Sequence, residues 1–208
     1  MAYLVLVRHG ESEWNAKGIW TGWTDINLSE KGREEARTAG ELLRDIHFDL
    51  AYTSALKRAQ QTWEEVQKII KQETLTATVD KALNERDYGD LTGKNKWEAK
   101  EEMGEEKFMK IRRSWDFPPP NGESLEMVYE RVIPYYEKTI LPELKDGKNV
   151  IIAAHGNSLR ALIKYLEDIS DEEIPHLEMA TGGIYVYKLD TEGKVTSKEI
   201  RGNAVNKA

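Results

Sequence analysis

An apolar strand that ends in His-Gly occurs twice in this sequence, and the repetition constrains the fold more than any other feature. Residues 4–7 lead into Arg8-His9-Gly10, and residues 149–154 lead into His155-Gly156. Taken alone, either histidine could be a helix-capping, loop or core residue. The chain has only four histidines, so two in the same context are hard to attribute to chance packing. Parallel strands would bring both imidazoles to the carboxyl edge of one sheet, where open α/β folds bind ligands.

Apolar periodicity predicts that strands and helices alternate along the chain, which indicates an α/β fold. Ser29 and Ser54 are good N-caps for helices that end near residues 45 and 71. Ser124 starts a further helix that Pro134 should kink or break. The other predicted elements are strands over residues 48–53, 76–79, 184–189 and 195–200, a polar helical segment over 95–115 and a helix over 159–166. The last two strands form a predicted hairpin.

The composition excludes several classes of function. The chain has 208 residues, enough for one large core, so we expect a single domain over residues 1–208. It contains no cysteine, which excludes disulfides, thiol nucleophiles and thiolate-bound metals. The net charge of -7 disfavours nucleic acid and acidic lipid as partners. Arg8 and Glu11 interrupt the first apolar run and no stretch predicts a membrane span, so we expect a cytoplasmic protein.

Several longer strings surround the two histidines or lie between them. They are Arg8-His9-Gly10-Glu11-Ser12, Thr21-Gly22-Trp23-Thr24-Asp25, Tyr52-Thr53-Ser54, Lys57-Arg58-Ala59, Leu83-Asn84-Glu85-Arg86-Asp87-Tyr88-Gly89, Arg112-Arg113-Ser114 and His155-Gly156-Asn157-Ser158-Leu159-Arg160. From Leu4 to about Asn203 the chain resembles the histidine phosphatase superfamily, and in particular its phosphoglycerate mutase branch, which is primed by 2,3-bisphosphoglycerate. The first string is typical of the whole superfamily. The string from Glu85 to Tyr88, the residue Lys96 and the Arg112-Arg113 pair are more specific to the mutases.

This resemblance implies a fold and an activity. The fold would be a three-layer α/β sandwich, with a mostly parallel central sheet and helices on both faces. The activity would be the interconversion of 3-phosphoglycerate and 2-phosphoglycerate in glycolysis and gluconeogenesis, through a phosphohistidine at His9 and without a metal ion. A phosphatase of the same superfamily, acting on small phosphorylated metabolites, is the alternative. A binding module without catalysis is disfavoured, because both a nucleophile and an acid are present.

The predicted phosphate pocket consists of His9, Arg8, Arg58 and His155. Phosphoryl transfer needs in-line positioning and positive charge around the equatorial oxygens, and arginine can supply that charge in place of a metal. Arg8 and Arg58 have planar forks suited to phosphate, and a protonated His155 would add a donor. His9 must be neutral to attack phosphorus, so its other ring nitrogen should donate to a backbone carbonyl. The alternative for Arg58 is an ordinary solvated helix residue.

Glu85 is the predicted general acid and base, in preference to Glu11. The family pattern points to Glu85 as the group that protonates the leaving alkoxide. Burial among phosphate oxygens would raise its pKa and keep it protonated near neutral pH. The alternative is a loop glutamate that pairs with Arg86.

The family pattern implies two further sets of substrate contacts. The first set contacts the phosphate or the rest of the substrate and consists of Ser12, Asn15, Thr21, Gly22, Arg86, Gly156 and Asn157. The second set would clamp the carboxylate and the phosphate that is not transferred, and it consists of Tyr88, Lys96, Arg112 and Arg113. A mutase needs this clamp because its bisphosphorylated intermediate must turn over without leaving the site. From spacing alone, the second set is equally a solvated basic helix face.

Three segments depart from the family pattern. Residues 116–122 form a short proline-rich bridge where longer members carry an insertion that takes part in subunit contacts, so the sequence leaves open whether the protein is a homo-oligomer. The tail over residues 203–208 is short, and poor closure over the site would allow more phosphatase activity. Thr181-Gly182-Gly183 replaces a proline-containing string, with an effect that the sequence does not reveal.

Overall fold

A six-stranded mixed sheet organises residues 1–202, the part of the chain that the computed structural model describes. Its strands are β1 (Ala2–Arg8), β2 (Leu50–Thr53), β3 (Ala77–Val79), β4 (Val150–Ala154), β5 (Ile184–Leu189) and β6 (Val195–Arg201). Their order across the sheet is β3-β2-β4-β1-β5-β6. The first four strands are parallel, whereas β5 is antiparallel to β1 and β6 is antiparallel to β5. The predicted mostly parallel sheet and its final hairpin are confirmed.

β1 and β4 are neighbours in the middle of the sheet and run in the same direction. Their register pairs Arg8 with Ala154, and the backbone N–H of His9 donates to the carbonyl of Ala154 at 2.9 Å. Both strands are covered on their two faces, which explains their nearly continuous apolar sequences. Because the strands are parallel, His9 and His155 come to the same edge, as the repeated His-Gly feature predicts.

Helices lie on both faces of the sheet. They are α1 (Glu13–Ala16), α2 (Glu30–Glu41), α3 (Lys57–Ile69), α4 (Lys96–Met103), α5 (Glu105–Arg113), α6 (Leu125–Tyr135), α7 (Leu141–Lys145) and α8 (Gly156–Glu167). Successive side chains of a strand point to opposite faces. Leu4 and Leu6 of β1 accordingly pack in the core formed with α6 and α8, whereas Val5 and Val7 pack with α2 and α3. The three-layer sandwich is confirmed.

Two of the three predicted serine caps are present. Ser29 and Ser124 each accept a backbone N–H from the first turn of α2 and α6, respectively. The prediction for Ser54 is wrong. α3 begins at Lys57 with Leu56 as its N-cap, and the Ser54 hydroxyl accepts the N–H of Leu56 and also contacts His155. A residue expected to serve local structure is therefore part of the site.

Interruptions divide two of the predicted helical segments. The segment over residues 95–115 is split into α4 and α5 at Gly104, whose φ of +80° lies in the left-handed region. Pro134 is tolerated in the last turn of α6, and a π-helical stretch over Tyr136–Ile140 follows and joins α6 to α7. α2 ends at Glu41, earlier than predicted. These breaks follow from backbone conformations that apolar spacing does not report.

A smaller apolar cluster lies apart from the two sheet cores. It consists of Trp20, Leu91, Phe108 and Ile111. The rings of Trp20 and Phe108 meet edge to face with 5.9 Å between their centroids. This cluster packs α5 against the loops that follow α1 and β3, so that region has a small core of its own.

Further predictions concern membrane spans, the C-terminal tail, the number of domains and the assembly of the protein. Among residues 1–202, no helix is long and apolar enough to cross a membrane. The short tail over residues 203–208 lies outside the described residues. The single domain and the homo-oligomer stay predictions.

Candidate active site

His9 lies directly after β1 and is 2% exposed. Its Nδ1 is 2.7 Å from the carbonyl oxygen of Gly10. A carbonyl only accepts hydrogen bonds, so Nδ1 carries the proton and Nε2 keeps its lone pair. Burial, followed by the charges of Arg58 and Arg8, holds the pKa of His9 well below its usual value. The imidazole is therefore neutral and oriented by a backbone carbonyl, as predicted.

Gly10 is required by a close approach between this turn and α2. A Cβ atom at Gly10 would lie 2.1 Å from the carbonyl oxygen of Gly32, in the first turn of α2. A Cβ atom at Gly32 would in turn lie 2.0 Å from the carbonyl oxygen of Glu11. The N–H of Gly10 also donates to Thr62 Oγ1 of α3 at 3.2 Å. Two helices thus fix the turn that holds His9.

His155 immediately precedes α8, and its ring centroid is 4.9 Å from that of His9. The ring is buried, and its Nε2 lies 2.6 Å from Ser54 Oγ. Burial, followed by the charges of Arg58 and other neighbours, holds the pKa of His155 well below its usual value. The structure thus favours neutral His155 over the protonated form considered from the sequence, because a further cation is disfavoured beside buried guanidinium groups. Neutral imidazole still has one N–H donor.

Glu85 lies on the loop after β3 and is buried. Its Oε1 accepts three hydrogen bonds, from the N–H of Arg86 at 2.7 Å, the N–H of Asn157 at 3.2 Å and Asn157 Nδ2 at 2.9 Å. Burial raises the pKa of Glu85, but these donors and the charges of Arg8 and Arg58 outweigh burial, so the pKa lies below its usual value. The predicted rise in the pKa of Glu85 depends on phosphate oxygens beside the carboxyl group, so it stays a prediction. The sequence does not reveal that the first turn of α8 donates to this carboxylate.

The two arginines of the predicted phosphate pocket lie beside the histidines. Arg58 is buried, and its Nη1 and Nη2 donate to the carbonyls of Thr24 at 3.0 Å and Gly22 at 2.8 Å. Burial lowers the pKa of Arg58 to about 10, so it stays charged at neutral pH. Arg8 Nη1 donates to the Met179 carbonyl. Arg58 is therefore part of the site and not a solvated helix residue.

A cationic cavity opens next to these groups. It encloses about 510 Å³, including the solvent at its mouth. Its lining contains five cationic side chains and two carboxylates. Eight of the predicted residues line it, namely Arg8, Glu85, Tyr88, Lys96, Arg112, Arg113, Gly156 and Asn157. The cavity wall therefore attracts an anion.

The other predicted site residues lie outside the cavity lining. They are His9, Arg58, His155, Ser12, Asn15, Thr21, Gly22 and Arg86. His9 and His155 are buried directly next to the lining, since Arg8 precedes His9 and Gly156 follows His155. Arg58 is also buried, and it lies close enough to the lining residues Glu85 and Arg8 for their charges to act on it. Ser12 and Asn15 cap α1 through reciprocal hydrogen bonds. Any contact between these residues and substrate stays a prediction.

Three of the predicted residues outside the lining, Thr21, Gly22 and Arg86, contact other protein groups. Thr21 Oγ1 donates to the carbonyl of Ile19 at 3.4 Å, and the carbonyl of Gly22 accepts from Arg58. The guanidinium of Arg86 lies 4.9 Å from the centroid of the Tyr88 ring, and it does not pair with the Glu85 carboxylate. The alternative of an ordinary Glu85–Arg86 ion pair is thus not what the structure contains.

The predicted clamp residues form one wall of the cavity. Lys96 Nζ lies 5.6 Å from the centroid of the Trp20 ring, and burial followed by the charges of Arg112 and Arg8 lowers the pKa of Lys96 to about 8. Arg113 Nη2 lies 2.7 Å from Glu178 Oε1. These cations all line one cavity. They therefore do not form the solvated helix face that was the alternative from spacing alone.

His9, Glu85 and His155 are also close enough to act as metal ligands. One candidate ligand atom from each lies within 4.8 Å of the others. However, Arg8 and Arg58 bring positive charge to the same place. These surroundings favour an anion such as phosphate over a cation.

Sequence reasoning missed several residues that shape the site. Arg160 lines the cavity and donates to Asn157 Oδ1 at 3.0 Å. Their spacing of three residues in α8 could have indicated this pair. Ser54 and Glu178 had no such signal, because each is distant in sequence from the residue that it contacts.

The unusual Thr181-Gly182-Gly183 segment supports the end of β1. The N–H of Gly182 donates to the carbonyl of Arg8 at 3.1 Å, and the N–H of Arg8 donates to the carbonyl of Gly183 at 3.0 Å. Gly182 has a φ of +66°. A proline at Gly182 would lack this donor, so the N–H of Gly182 helps to hold the segment before β5 against the strand that ends at His9.

Comparisons with known proteins agree with this geometry. The family model of the histidine phosphatase superfamily (branch 1) matches residues 4–199. A 2,3-bisphosphoglycerate-dependent phosphoglycerate mutase from Parvibaculum lavamentivorans is 53% identical over 199 residues, which are 95% of each chain. Among solved structures, a phosphoglycerate mutase from Bacillus anthracis is 27% identical with a TM-score of 0.74, over 94% of this chain and 90% of that one. An α-ribazole phosphatase from Shigella flexneri is 27% identical with a TM-score of 0.81, over 98% of both chains.

The chain therefore belongs to the histidine phosphatase superfamily and, within it, to the family of 2,3-bisphosphoglycerate-dependent phosphoglycerate mutases. The match spans nearly the whole chain, so it includes both the sheet edge with the histidines and the wall with Lys96 and Arg113. The family predicted from the strings around His9, Glu85 and His155 is confirmed.

Proposed function

We propose that the protein interconverts 3-phosphoglycerate and 2-phosphoglycerate through a phosphohistidine at His9, with 2,3-bisphosphoglycerate as the primer. One observation carries this proposal: a neutral, oriented His9 lies beside a cavity that is lined by a second set of cations, Lys96, Arg112 and Arg113. A substrate with two anionic ends needs both features. The name of the relative that is 53% identical points to the same reaction.

The chemical step begins at Nε2 of His9. Its lone pair attacks the phosphorus of the bound bisphosphate, so that an N–P bond forms while the P–O bond to the glycerate breaks. The departing alkoxide takes a proton from Glu85, which acts as the general acid. In the return step the ionised Glu85 takes the proton of the attacking substrate hydroxyl, and the phosphoryl group leaves His9 for that oxygen.

Glu85 must gain a proton when the substrate binds. Its pKa lies below the usual value in the structure, because three N–H donors favour the carboxylate. A phosphate group beside it brings negative charge, which raises the pKa of a neighbouring acid. Substrate binding therefore prepares the acid that the reaction needs.

Positive charge on the transferred group would come from Arg8 and Arg58, with an N–H donor from His155. Guanidinium groups in a buried site supply the stabilisation that a metal ion supplies in many other phosphoryl-transfer enzymes. We infer on this basis that the reaction does not depend on a metal.

The clamp would hold the end of the substrate that does not react. Lys96, Arg112 and Arg113 offer charge-assisted hydrogen bonds to a carboxylate and to the second phosphate, and Tyr88 offers a hydroxyl. The bisphosphorylated intermediate has to reorient within the cavity before it returns its other phosphate. A cationic wall keeps it from leaving during that motion.

A phosphatase is the second candidate. The similarity to the α-ribazole phosphatase from Shigella flexneri favours it, since that protein has the same fold. Such an enzyme would use His9, Arg8, Arg58 and His155 but has no need of a second clamp. The cytoplasmic location and the assembly state stay predictions under either function.

A product assay separates the two. The purified protein is given 3-phosphoglycerate with and without catalytic 2,3-bisphosphoglycerate, and 2-phosphoglycerate and inorganic phosphate are measured in the same samples. We expect primer-dependent 2-phosphoglycerate to form much faster than inorganic phosphate, with no change after chelation. If mostly inorganic phosphate forms, the phosphatase becomes the favoured function. Loss of activity on chelation would contradict the metal-independent mechanism.

A further inference from the structure

The backbone of the Glu85 loop is held by a side chain from outside the cavity. The loop connects two short turns, Lys81–Leu83 and Gly89–Leu91, and lies outside the sheet. Buried carbonyls in such a loop need donors from elsewhere. Arg131 of α6 supplies them.

Three carbonyls of this loop accept from one guanidinium group. Arg131 Nη1 donates to the carbonyl of Ala82 at 2.7 Å and to that of Asn84 at 3.0 Å. Arg131 Nη2 donates to the carbonyl of Glu85 itself at 3.0 Å. Indole Nε1 of Trp23 donates to the same Glu85 carbonyl at 2.6 Å.

Glu123 fixes the guanidinium in turn. Its two carboxylate oxygens each lie 2.9 Å from Arg131, one from Nε and one from Nη2, in a bidentate pair. The same carboxylate accepts the N–H of Asp87 at 2.9 Å. The side chains of Arg131 and Glu123 are only 20% and 16% exposed, so the pair is shielded from solvent. The loop is therefore tied on both sides of Glu85.

We propose that Arg131 is a positioning residue that sets the place of the Glu85 carboxylate by holding the backbone on which it is mounted. Arg131 does not line the cavity. The carboxylate itself is oriented by Arg86 and Asn157, so its backbone and its side chain are held by separate groups. This inference rests on the proposed role of Glu85 as the general acid and base. A displacement of about 1 Å at a catalytic group can cost about a hundredfold in rate.

The test compares Arg131→Lys with a matched control, Arg33→Lys. Lysine keeps the charge but cannot form the bidentate pair and reach three carbonyls. Arg33 pairs with Glu65 between α2 and α3, which pack on the opposite face of the sheet from α6, with an N–O distance of 3.0 Å. In the mutase assay we expect Arg131→Lys to lower kcat about 10- to 100-fold while KM for 3-phosphoglycerate changes less than about threefold. Arg33→Lys should match the wild type.

A substrate with a different leaving group distinguishes misplacement of the Glu85 carboxylate from general damage to the active site. 4-Nitrophenolate departs from 4-nitrophenyl phosphate without a proton, so transfer of the phosphoryl group from this ester to His9 needs no general acid. We expect single-turnover phosphorylation of His9 by this ester to be nearly unchanged in Arg131→Lys. Equal losses with both substrates, a change in KM alone, or an unchanged kcat would each overturn the proposal.

Glu123→Gln provides a milder second variant in case Arg131→Lys fails to fold. Glutamine keeps the shape of Glu123 but weakens the bidentate pair, so we expect a smaller loss of kcat with the same selectivity for the alkyl leaving group. A loss with both substrates in this variant would also overturn the proposal. If the wild type makes no 2-phosphoglycerate, the proposed function fails instead, and the two failures are thereby distinguished.

Discussion

The two halves of the site are built in different ways. The sheet half, Arg8, His9, His155 and Gly156, lies at the ends of two paired parallel strands in the centre of the molecule. The clamp half, Tyr88, Lys96, Arg112 and Arg113, lies on loops and short helices that pack around a separate cluster at Trp20. The bond-breaking chemistry is thus placed on the most constrained backbone, and recognition of the rest of the substrate on a less constrained one.

The two halves of the site also differ in the charge of their side chains. Burial and the charges of the neighbouring arginines both lower the pKa of His9 and His155 and keep the two imidazoles neutral. Lys96, in the clamp half, has a pKa lowered only to about 8 and remains mostly charged at neutral pH. A neutral nucleophile beside a cationic wall is what transfer from a polyanionic substrate requires. The comparison predicts that changes in the sheet half affect kcat, whereas changes in the clamp half affect KM.

The largest effect is expected at His9, and it tests whether the sheet half carries the chemistry. His9→Ala removes the nucleophile, so kcat should fall by at least about 10⁴-fold and no phosphoprotein should form from labelled 2,3-bisphosphoglycerate. His47→Ala is the matched control, because His47 is exposed and distant from the cavity lining. Retained turnover in His9→Ala would show that the sheet half does not carry the chemistry.

Glu85→Gln should have the next largest effect. Glutamine cannot transfer the proton, so kcat should fall about 10²- to 10⁴-fold in the mutase assay. Glu11→Gln is the control, since the Glu11 carboxylate faces α2 and lies 3.0 Å from Lys31 Nζ. We expect that variant to retain activity. If Glu11→Gln were instead the more damaged variant, the acid would have to be reassigned.

The smallest effect is a pH dependence that belongs to the clamp half. The pKa of Lys96 is about 8, below the usual lysine value, so its charge is present at lower pH and is lost as the pH rises through about 8. KM for 3-phosphoglycerate should therefore rise severalfold, up to about 10-fold, from about pH 7 to about pH 9, with little change in kcat. In Lys96→Arg the charge persists and KM should stay flat across this range. The same rise in Lys96→Arg would assign the titration to another group.

Much of the sheet half could be predicted from sequence. Apolar strands followed by His-Gly predict parallel pairing and a shared edge, and the structure pairs Arg8 with Ala154 as that requires. The neutral state of His9 also follows, because a nucleophilic imidazole must keep a lone pair. The clamp half could not be predicted from spacing, since Lys96 and Arg113 have the same pattern as any charged helix face. There the resemblance to a family supplied the prediction.

Several contacts were beyond prediction because they join residues that are remote in sequence. Ser54 looked like a helix cap but lies 2.6 Å from His155 Nε2, across 101 positions. The pKa of Glu85 is lowered by the N–H of the adjacent Arg86 and also by Asn157 of α8, 72 positions away, and together with the arginine charges these contacts outweigh burial. Local patterns report the backbone of one segment. They carry no information on which other segment packs against it.

The amino-acid sequence by itself determined the α/β alternation, the sheet edge that carries His9 and His155, and the absence of sulfur chemistry, because these depend on local periodicity and residue type. Only the tertiary structure decided which groups surround Glu85, that Arg131 holds its loop and that Gly182 ties down the end of β1. The physical reason is that protonation states and loop positions depend on the distances between distant segments, and those distances exist only once the chain is folded.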